Sequence, residues 1–202
     1  MEKIKKMFCI CIAFIFAAGC TKSSLSFTDS EIELINKYSQ QKMRVLIYNN
    51  ESDSLILRQQ AKEFSIADLQ SDIFKSLKAQ MLLTVQDTTN TGVGIAAPQV
   101  GISRRLIAVQ RFDKPGEPFE FYANAYIVYF SEDRQTGAEG CLSIPNIRGN
   151  VERSQTVAVK HVDMEMLKTR IDTVSGFTSV IFQHEIDHLN GILFIDKIHP
   201  DA

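Results

Sequence analysis

The sequence predicts an α+β fold in which mainly antiparallel strands pack around a C-terminal helix. Three observations support this class. Apolar, strand-like runs separated by breaks rich in Gly, Pro and Asp occur at 105–110, 119–130, 151–162 and 166–174. An amphipathic helical pattern precedes these runs, and a second helical pattern over 177–190 follows them. No internal repeat interrupts this order, so strands and helices form separate blocks, as in α+β folds.

Composition limits the chain to one ordinary domain. Its 202 residues are 45% hydrophobic and 23% charged, enough for a buried core but too few for two large domains. The formal net charge is −2 and the pI is about 6.1. Lys and Arg residues are scattered rather than clustered, so we expect no nucleic-acid partner. The oligomeric state is not indicated by any of these features.

The first twenty residues have the pattern of an export signal. Lys3, Lys5 and Lys6 precede an apolar run over 7–18 that is too short to span a bilayer comfortably. The run ends in Ala-Ala-Gly before Cys20, which resembles a bacterial lipoprotein box. We therefore expect cleavage before Cys20, lipidation of its thiol, and a cell-envelope protein anchored to a membrane through lipid only. The alternative is a buried or amphipathic N-terminal helix in a cytoplasmic protein.

This leader also divides the chain and its cysteines. We expect a signal over 1–20, a tether and N-terminal extension over 21–43, and a catalytic domain over 44–202. The two cysteines within the signal leave with it and Cys20 is lipidated, so Cys141 is the single free thiol and no intramolecular disulfide can form. Such a thiol is either buried by accident or retained for chemistry or metal binding.

Two helices are expected before the strands. Residues 31–43 can form an amphipathic helix. A clearer helix begins at Ser65, whose hydroxyl caps it while Asp68 completes a capping box. The apolar residues of this helix recur at helical spacing and are expected to face the core: Ile66, Leu69, Ile73, Leu77 and Met81.

The final helix carries a His-Glu-x-x-His pattern. His184 and His188 lie four residues apart on one helical face and can bind one metal ion, with Glu185 between them. A third protein ligand is needed. One zinc-peptidase pattern has a histidine where this chain has Phe194, and no glutamate follows His188. The ligand must come from upstream, and Cys141 is the best candidate because a thiolate binds Zn²⁺ or Fe²⁺ strongly.

These residues have the chemistry needed to hydrolyse an amide. Two neutral imidazoles and a thiolate leave a fourth coordination position for water, and a bound cation lowers the pKa of that water. Glu185 can take the proton and pass it to a leaving amine. The alternative is that His184 and His188 are ordinary core histidines. His161 and His199 stand alone in the sequence and are expected to be structural or solvated.

A glycine-rich segment over 92–99 is the third candidate element. Gly92 and Gly94 allow the backbone to approach a ligand closely, and Gln99 can donate a hydrogen bond to a developing oxyanion. The alternative is a phosphate-binding loop, but the segment lacks the Lys-Ser/Thr ending of such loops.

Together, the three segments resemble the motifs of the peptide deformylase family. The first motif, Gly-x-Gly-aliphatic-Ala-Ala-x-Gln, is found at 92–99, the second at 139–143 and the third at 183–188, in the same order and spacing. The resemblance covers roughly 43–199. It implies a deformylase-like fold and removal of the formyl group from N-formylmethionyl peptides.

The resemblance also implies roles for individual residues. Cys141, His184 and His188 would hold one divalent metal ion, for which the family implies Fe²⁺, although Zn²⁺ suits the ligands equally well. Glu185 would be the catalytic acid/base. The implied oxyanion donors and peptide contact are Gln99, the backbone amide of Leu142 and the backbone of Gly94.

Substrate selection is expected to depend on the size of the pocket. A formyl carbonyl bears only hydrogen, so a narrow metal pocket can admit it and exclude bulkier acyl groups. A neighbouring apolar pocket would take the unbranched methionine side chain. The candidates for that pocket, each with ordinary core packing as the alternative, are Val93, Leu142, Val180 and Ile181.

Four charged residues are expected to position the metal ligands through hydrogen bonds without contacting the metal. Helical geometry turns Asp187 away from the two histidines, and we expect it to pair with Arg153. We expect Glu139 to pair with Arg148 and thereby to fix the cysteine loop.

Three functions remain open from the sequence. They are an envelope-anchored deformylase, a metal-dependent hydrolase of another small formamide or amide, and a metal-binding or peptide-binding lipoprotein without catalysis. Intact Glu185 and Gln99 argue against the third. The leader conflicts with the first, since deformylation ordinarily acts on nascent chains in the cytoplasm.

Overall fold

A computed structural model describes residues 27–89 and 92–198 of the chain. Its helices are α1 (Asp29–Lys37), α2 (Glu51–Leu57), α3 (Ile66–Leu69), α4 (Asp72–Val85) and α5 (Gly176–Leu189). Its strands are β1 (Gly94–Ala96), β2 (Leu106–Gln110), β3 (Phe119–Phe130), β4 (Arg134–Cys141), β5 (Ile144–Ser154), β6 (Thr156–Asp163) and β7 (Lys168–Ser175). Short 3₁₀ helices cover Ala97–Val100 and Phe194–Asp196.

The strands form two antiparallel sheets. The larger sheet has the order β1-β2-β3-β6-β7. The smaller sheet is the β4-β5 hairpin. Helix α5 packs against β1 and β2 of the larger sheet. The predicted α+β class, with mainly antiparallel strands and a C-terminal helix, is confirmed.

Strand β2 shows how the larger sheet is covered on both faces. Successive side chains of a strand point to opposite faces. Leu106 and Ala108 join a core that includes residues of α4, whereas Ile107 and Val109 join a second core that includes residues of α5. All four side chains are fully buried. The sheet therefore fixes α5 on one side and α4 on the other.

The helical stripe that begins at Ser65 is interrupted. The capping box between Ser65 and Asp68 is present as predicted, but α3 ends at Leu69. Helix α4 begins after Ser71, whose hydroxyl accepts a hydrogen bond of 3.1 Å from the amide of Phe74. A serine that can cap favours a new helix start over continuation. The first apolar residue of the stripe is 47% exposed rather than buried.

Helix α2 and strands β1 and β4 were not predicted from the sequence. Helix α2 follows Asn50, whose side chain caps it by accepting from the amide of Asp53. Strand β4 is polar and contains two glycines, so it lacks the apolar alternation that marks a strand. It is ordered by its ladder with β5. The single strand expected over 151–162 is divided at Gln155 between β5 and β6.

The N-terminal extension packs onto the domain through α1, which is shorter than the helix expected over 31–43. Ile35 is fully buried, and its carbonyl accepts a hydrogen bond of 2.9 Å from the side chain of Gln80 on α4. Glu31 accepts two hydrogen bonds, of 2.9 and 2.8 Å, from the guanidinium of Arg104. This part of the extension therefore covers one side of the core.

The leader and its cleavage site before Cys20 lie outside the described residues, as does His199. Across the two described ranges, no helix is both long enough and apolar enough to cross a membrane. The expected lipid anchor therefore depends on the sequence pattern alone.

Candidate active site

Three segments that are distant in sequence meet beside α5. The 3₁₀ helix that follows β1 carries Gln99. The tight turn of the β4-β5 hairpin begins at Cys141, which lies opposite Ile144 in the ladder. Helix α5 packs against β1 and contacts β5. These contacts bring the glycine-rich segment, the cysteine and the histidines to one place.

Cys141, His184 and His188 form a compact group of metal-binding donors. Their ligand atoms all lie within 4.8 Å of one another. The Cys141 Sγ atom is 3.2 Å from His188 Nε2, and the two imidazole rings meet edge to face with centroids 5.1 Å apart. His188 is buried and Cys141 is partly buried. The three ligands expected from the sequence are therefore adjacent in space.

Glu139 orients the ring of His184. Its Oε2 atom lies 2.8 Å from His184 Nδ1. A hydrogen bond at Nδ1 fixes the ring and leaves Nε2 for a metal ion. Arg153 holds Glu139 in turn, because its Nε and Nη2 atoms donate hydrogen bonds of 2.7 and 3.0 Å to the two carboxylate oxygens.

Arg153 also binds Asp187, as predicted. Its Nη1 atom donates a hydrogen bond of 2.5 Å to Asp187 Oδ2. Lys197 Nζ donates to both oxygens of the same carboxylate, at 2.8 and 2.7 Å. The side chains of Arg153 and Glu139 are 3% and 7% exposed. A chain of ion pairs therefore runs from the protein surface to the imidazole of His184.

The predicted pair between Glu139 and Arg148 is wrong. Glu139 lies opposite Gly149 in the β4-β5 ladder, and side chains along a strand alternate between faces. Arg153 therefore shares the face of Glu139, whereas Arg148 does not. Arg148 is exposed and lines the cavity over the site.

Glu185 lies close to β1 and is almost fully buried. Burial raises the pKa of Glu185 to about 7. Its Oε2 atom has no hydrogen-bond partner among the residues that the structure describes. Gly94 makes room for this carboxylate, since a Cβ atom at that position would lie 2.5 Å from Glu185 Oε1. Glycine is therefore required here by the close approach of the acid.

The two histidines have opposite pKa shifts. Burial lowers the pKa of His188 well below its ordinary value, and the charge of His184 adds to this effect. Burial also lowers the pKa of His184, but hydrogen bonds with Cys141 and Glu139 outweigh it and raise that pKa well above the ordinary value. Burial raises the pKa of Glu139, yet hydrogen bonds with His184 and Arg153 bring it to about 2. The ionised Glu139 therefore favours positive charge at His184.

Gln99 presents its amide nitrogen to the thiol. Its Oε1 atom accepts a hydrogen bond of 2.8 Å from the amide of Ala96. The other end of the carboxamide, Nε2, lies 3.4 Å from Cys141 Sγ and 3.3 Å from Ser143 Oγ. The side chain is buried and held at both ends. Such a fixed donor can stabilise charge on an oxygen bound beside the metal ligands.

A cavity of about 750 Å³ opens over these groups. Ile181 is almost completely buried, and Val93 is 37% exposed. The cavity is bounded on another side by strand β4. The four apolar residues expected around the methionine pocket all line this cavity: Val93, Leu142, Val180 and Ile181.

Phe177 also lines the cavity, although no sequence pattern had identified it. It lies in the first turn of α5, is 55% exposed, and has its ring centroid 5.3 Å from that of Phe112. Phe177 precedes Ile181 by one helical turn and Glu185 by two. The i, i+4 spacing within the final helix was therefore a signal that could have identified it.

His161 lies on β6, apart from this site. It is 7% exposed, its Nε2 atom is 3.2 Å from Asp172 Oδ2, and its ring packs edge to face against Tyr122. These contacts are typical of a histidine with a structural role.

The donor group fits a divalent metal ion. One thiolate and two imidazoles are suitable ligands for Zn²⁺ or Fe²⁺. Glu139 leaves one ring nitrogen of His184 available, and the carboxylate of Glu185, with one unpartnered oxygen, lies beside the group. A cation at this place would find both ligands and compensating negative charge.

Comparison with known sequences extends the similarity over most of the chain. The family model described as Polypeptide deformylase matches residues 42–202. A peptide deformylase of Fusobacterium nucleatum subsp. nucleatum is 39% identical over 147 residues, which are 73% of this chain and 80% of the relative. A peptide deformylase of Synechocystis sp. is 38% identical over 144 residues, which are 71% of this chain and 74% of the relative.

Solved structures agree with these sequence matches. A class I type b peptide deformylase from Acinetobacter baumannii with bound Met-Ala-Ser is 36% identical, has a TM-score of 0.68, and aligns over 78% of this chain and 98% of its own. The peptide deformylase of Thermotoga maritima is 31% identical, has a TM-score of 0.67, and aligns over 79% and 99%. Since the family match, the fold and the three-motif site coincide in one domain, this chain belongs to the peptide deformylase family.

Proposed function

We propose that this protein removes the formyl group from N-formylmethionyl peptides by metal-dependent hydrolysis and releases formate. The observation that carries this function is the position of Glu185 and Gln99 beside the group of Cys141, His184 and His188, all of which except His188 line one cavity. A relative that is 36% identical binds Met-Ala-Ser, which supports a peptide that begins with methionine as the ligand here.

Cys141, His184 and His188 would hold the metal ion, which supplies a Lewis acid that polarises a carbonyl and lowers the pKa of water. Glu185 takes a proton from the attacking water, whose oxygen adds to the formyl carbon. The bond between that carbon and the peptide nitrogen then breaks, and Glu185 delivers the proton to the nitrogen. The products are formate and a peptide with a free amine.

Two donors stabilise the carbonyl oxygen as it becomes negative. Gln99 Nε2 is already fixed beside the thiol by the hydrogen bond that Ala96 donates to the other end of the carboxamide. The backbone amide of Leu142 follows Cys141 in the hairpin turn and is the second proposed donor. The backbone of Gly94 would contact the peptide, because it lies next to Glu185 at the cavity wall. Preorganised donors of this kind lower the barrier by stabilising developing charge.

Selection for formyl and methionine would come from the cavity wall. Leu142, Val180 and Ile181 provide apolar surface close to the metal ligands, and Phe177 adds an aromatic ring at the first turn of α5. An unbranched, flexible methionine side chain can fill such a pocket. A larger acyl group in place of formyl would crowd the carboxylate of Glu185, which already lies against Gly94.

We propose Fe²⁺ as the native metal, with Zn²⁺ as the alternative, since the ligand set suits both. A ferrous ion bound to a thiolate is sensitive to oxygen. Metal analysis of protein prepared without oxygen is expected to find iron. The activity of this protein is expected to fall when it is exposed to air. If the anaerobic preparation contained zinc and its activity were stable in air, zinc would be assigned as the native metal instead.

Glu139, Arg153 and Asp187 are proposed to position the ligands rather than to contact the substrate. Their chain of hydrogen bonds ends on His184 Nδ1, on the side of the ring that faces away from the proposed metal position. Partners of this kind orient a ligand and increase its basicity.

A formate-release assay tests the reaction. The test protein is the full chain with Cys9, Cys11 and Cys20 replaced by serine, purified in mild detergent without oxygen. It is expected to release formate from formyl-Met-Ala-Ser, and a Glu185→Gln variant is expected to retain metal but lose activity by roughly 10²–10⁴-fold. If the test protein with Glu185 intact bound metal but released no formate, it would instead be a binding protein.

We also propose that the leader is removed and that Cys20 anchors the protein in the cell envelope. The basis is the basic start, the apolar run and the Ala-Ala-Gly-Cys ending of the sequence. An enzyme in this location would meet finished or degraded peptides rather than nascent chains. Labelling with radioactive palmitate is expected to mark the natural sequence in the membrane fraction but not a Cys20→Ala variant. An unlabelled chain that retains Met1 would contradict this location.

A further inference from the structure

Lys197 is a charged residue that no motif of the sequence singled out, yet it ends the chain of ion pairs behind the metal ligands. Its Nζ atom donates hydrogen bonds of 2.8 and 2.7 Å to the two oxygens of Asp187. The side chain is 37% exposed, whereas that of Asp187 is 12% exposed. Lys197 therefore lies where the buried network meets solvent.

The backbone around Lys197 is held in place by several contacts. After α5 the chain turns at Gly191, which has a φ of 72°. The following 3₁₀ helix is closed by a hydrogen bond of 2.9 Å from the amide of Lys197 to the carbonyl of Phe194. The next residue, Ile198, forms an isolated antiparallel bridge with Val151 on β5. Lys197 is therefore directed at Asp187 by a fixed backbone.

Lys197 balances the formal charge of the residues behind the ligands. Arg153 is shared by two carboxylates, those of Glu139 and Asp187, so these three residues carry a net negative charge. All three are buried, and uncompensated charge in such a place is unfavourable. The ammonium group of Lys197 makes the set of four neutral.

The geometry also limits how Asp187 can compete for the guanidinium. Lys197 occupies both oxygens of Asp187, while Arg153 gives Asp187 a single hydrogen bond and gives Glu139 two. Without the ammonium, the full charge of Asp187 would act on the guanidinium alone. Movement of Arg153 toward Asp187 would withdraw support from Glu139, which orients His184.

From these contacts we propose that Lys197 is a positioning residue for the metal centre. By neutralising Asp187, it keeps Arg153 on Glu139 and so keeps the Nε2 atom of His184 directed at the metal position. This inference rests on the proposed function, because it requires that Cys141, His184 and His188 hold a metal ion.

The experiment measures Co²⁺ release from the test protein, in which the cobalt–thiolate absorption reports the ligand geometry. Lys197→Met is expected to release Co²⁺ to excess chelator about tenfold faster than the unsubstituted protein and to show an altered visible spectrum. Lys197→Arg restores a cation and is expected to return both readouts to within about twofold.

Lys114→Met is the matched control. Lys114 donates hydrogen bonds of 2.7 and 2.8 Å to the two oxygens of Glu120, and its side chain is 40% exposed, close to the 37% of Lys197. The control is expected to release Co²⁺ at the unsubstituted rate. Equal acceleration in Lys114→Met, or an unchanged rate and spectrum in Lys197→Met, would overturn the proposal.

Three further outcomes are distinguished. If Lys197→Met does not fold, Lys197→Gln is measured in its place, and the same rates decide the proposal. If the unsubstituted protein binds no Co²⁺, the proposed function fails and this inference fails with it. If the unsubstituted protein binds Co²⁺ and releases formate while Lys197 variants are unchanged, only this inference fails.

Discussion

Two buried arginines, Arg153 and Arg105, hold the last turn of α5, but only Arg153 is connected to the candidate metal-binding group. Arg153 donates to the carboxylates of Glu139 and Asp187. Burial lowers the pKa of Arg153, but these contacts outweigh it and raise that pKa above its ordinary value. Because Glu139 binds His184, a shift of Arg153 would be transmitted to a candidate metal ligand.

Arg105 is fully buried but has neutral acceptors. Its guanidinium donates twice to the carbonyl of Ala125, and also to the carbonyl of Leu189 and the side chain of Asn190. The group lies 3.7 Å from the centroid of the Tyr126 ring. Burial lowers the pKa of Arg105. Its contacts tie β3 to the end of α5 and do not involve the candidate metal ligands.

The difference between the two arginines lies in their acceptors rather than in residue type or burial. An arginine that binds backbone carbonyls fixes one element of secondary structure to another. An arginine that binds carboxylates also fixes whatever those carboxylates contact. The role of a buried arginine in this protein therefore depends on what its hydrogen-bond acceptors contact in turn.

The largest expected effect comes from removing each guanidinium in turn. Arg153→Met removes the guanidinium from two buried carboxylates, Glu139 and Asp187, and leaves each with one other partner, so we expect the free energy of unfolding to fall by about 3–5 kcal/mol. We also expect metal affinity to fall by about 10–100-fold. Denaturant unfolding measures the first quantity, and competition with a chelator measures the second.

Arg105→Met is the paired variant. It removes both guanidinium donors from the carbonyl of Ala125, whereas the carbonyl of Leu189 still accepts from the amide of Ala61. We therefore expect stability to fall by about 1–3 kcal/mol, with metal affinity unchanged. Asn190→Ala removes only one exposed acceptor and is the milder form of the same test. Equal losses of metal affinity at both arginines would remove the distinction between them.

The second effect is a difference in acid stability. Hydrogen bonds with His184 and Arg153 overcome burial and hold the pKa of Glu139 at about 2, below its ordinary 4.5. Its contribution to stability is therefore complete above about 4.5 and is lost as pH falls toward 2, by a few kcal/mol in total. Metal-free Glu139→Gln is expected to lose less stability than metal-free natural protein over this range. If the free energy of unfolding fell equally with pH in both proteins, Glu139 would not be the source of this acid sensitivity.

The third expected effect is on catalysis alone and involves neither arginine. In Gly94→Ala, the added methyl group meets Glu185 Oε1 at 2.5 Å and Ile181 Cγ2 at 2.8 Å. We expect kcat to fall by roughly 10²-fold while metal content is unchanged. Gly137→Ala is the control, since a Cβ atom there meets nothing within 4 Å although Gly137 lines the same cavity. The same rate in both variants would argue against close contact between β1 and the acid.

The smallest effect concerns substrate binding at the first turn of α5, remote from both arginines. Phe177→Ala removes an aromatic ring from the cavity wall, and we expect KM for formyl-Met-Ala-Ser to rise about tenfold with kcat nearly unchanged. Ile171→Ala on β7 removes a similarly exposed apolar side chain outside the cavity and should leave KM unchanged. An unaltered KM in Phe177→Ala would exclude this ring from the substrate pocket.

The sequence predicted the donor group better than its surroundings. The spacing of His184 and His188 and the absence of a downstream ligand led directly to Cys141, and the three lie together in the structure. The partner of Glu139 was predicted incorrectly because the choice between Arg148 and Arg153 depends on the strand register. That register could not be predicted, since β4 lacks apolar alternation.

Other features carried a weaker local signal. The break between α3 and α4 depends on Ser71, a capping residue inside an otherwise regular apolar stripe. Lys197 follows no motif, and its contact with Asp187 arises from the turn after α5. Phe177, in contrast, could have been found from its helical spacing to Ile181.

The central claim is that Cys141, His184 and His188 hold the metal ion on which deformylation depends. The most direct test strips the test protein with a chelator and returns Fe²⁺ in steps without oxygen, while bound metal and formate release are measured on each sample. We predict that activity rises in proportion to bound metal and saturates at one ion per chain, and that Cys141→Ala gives neither tight binding nor activity. Full formate release from the stripped protein, or from Cys141→Ala, would contradict the claim.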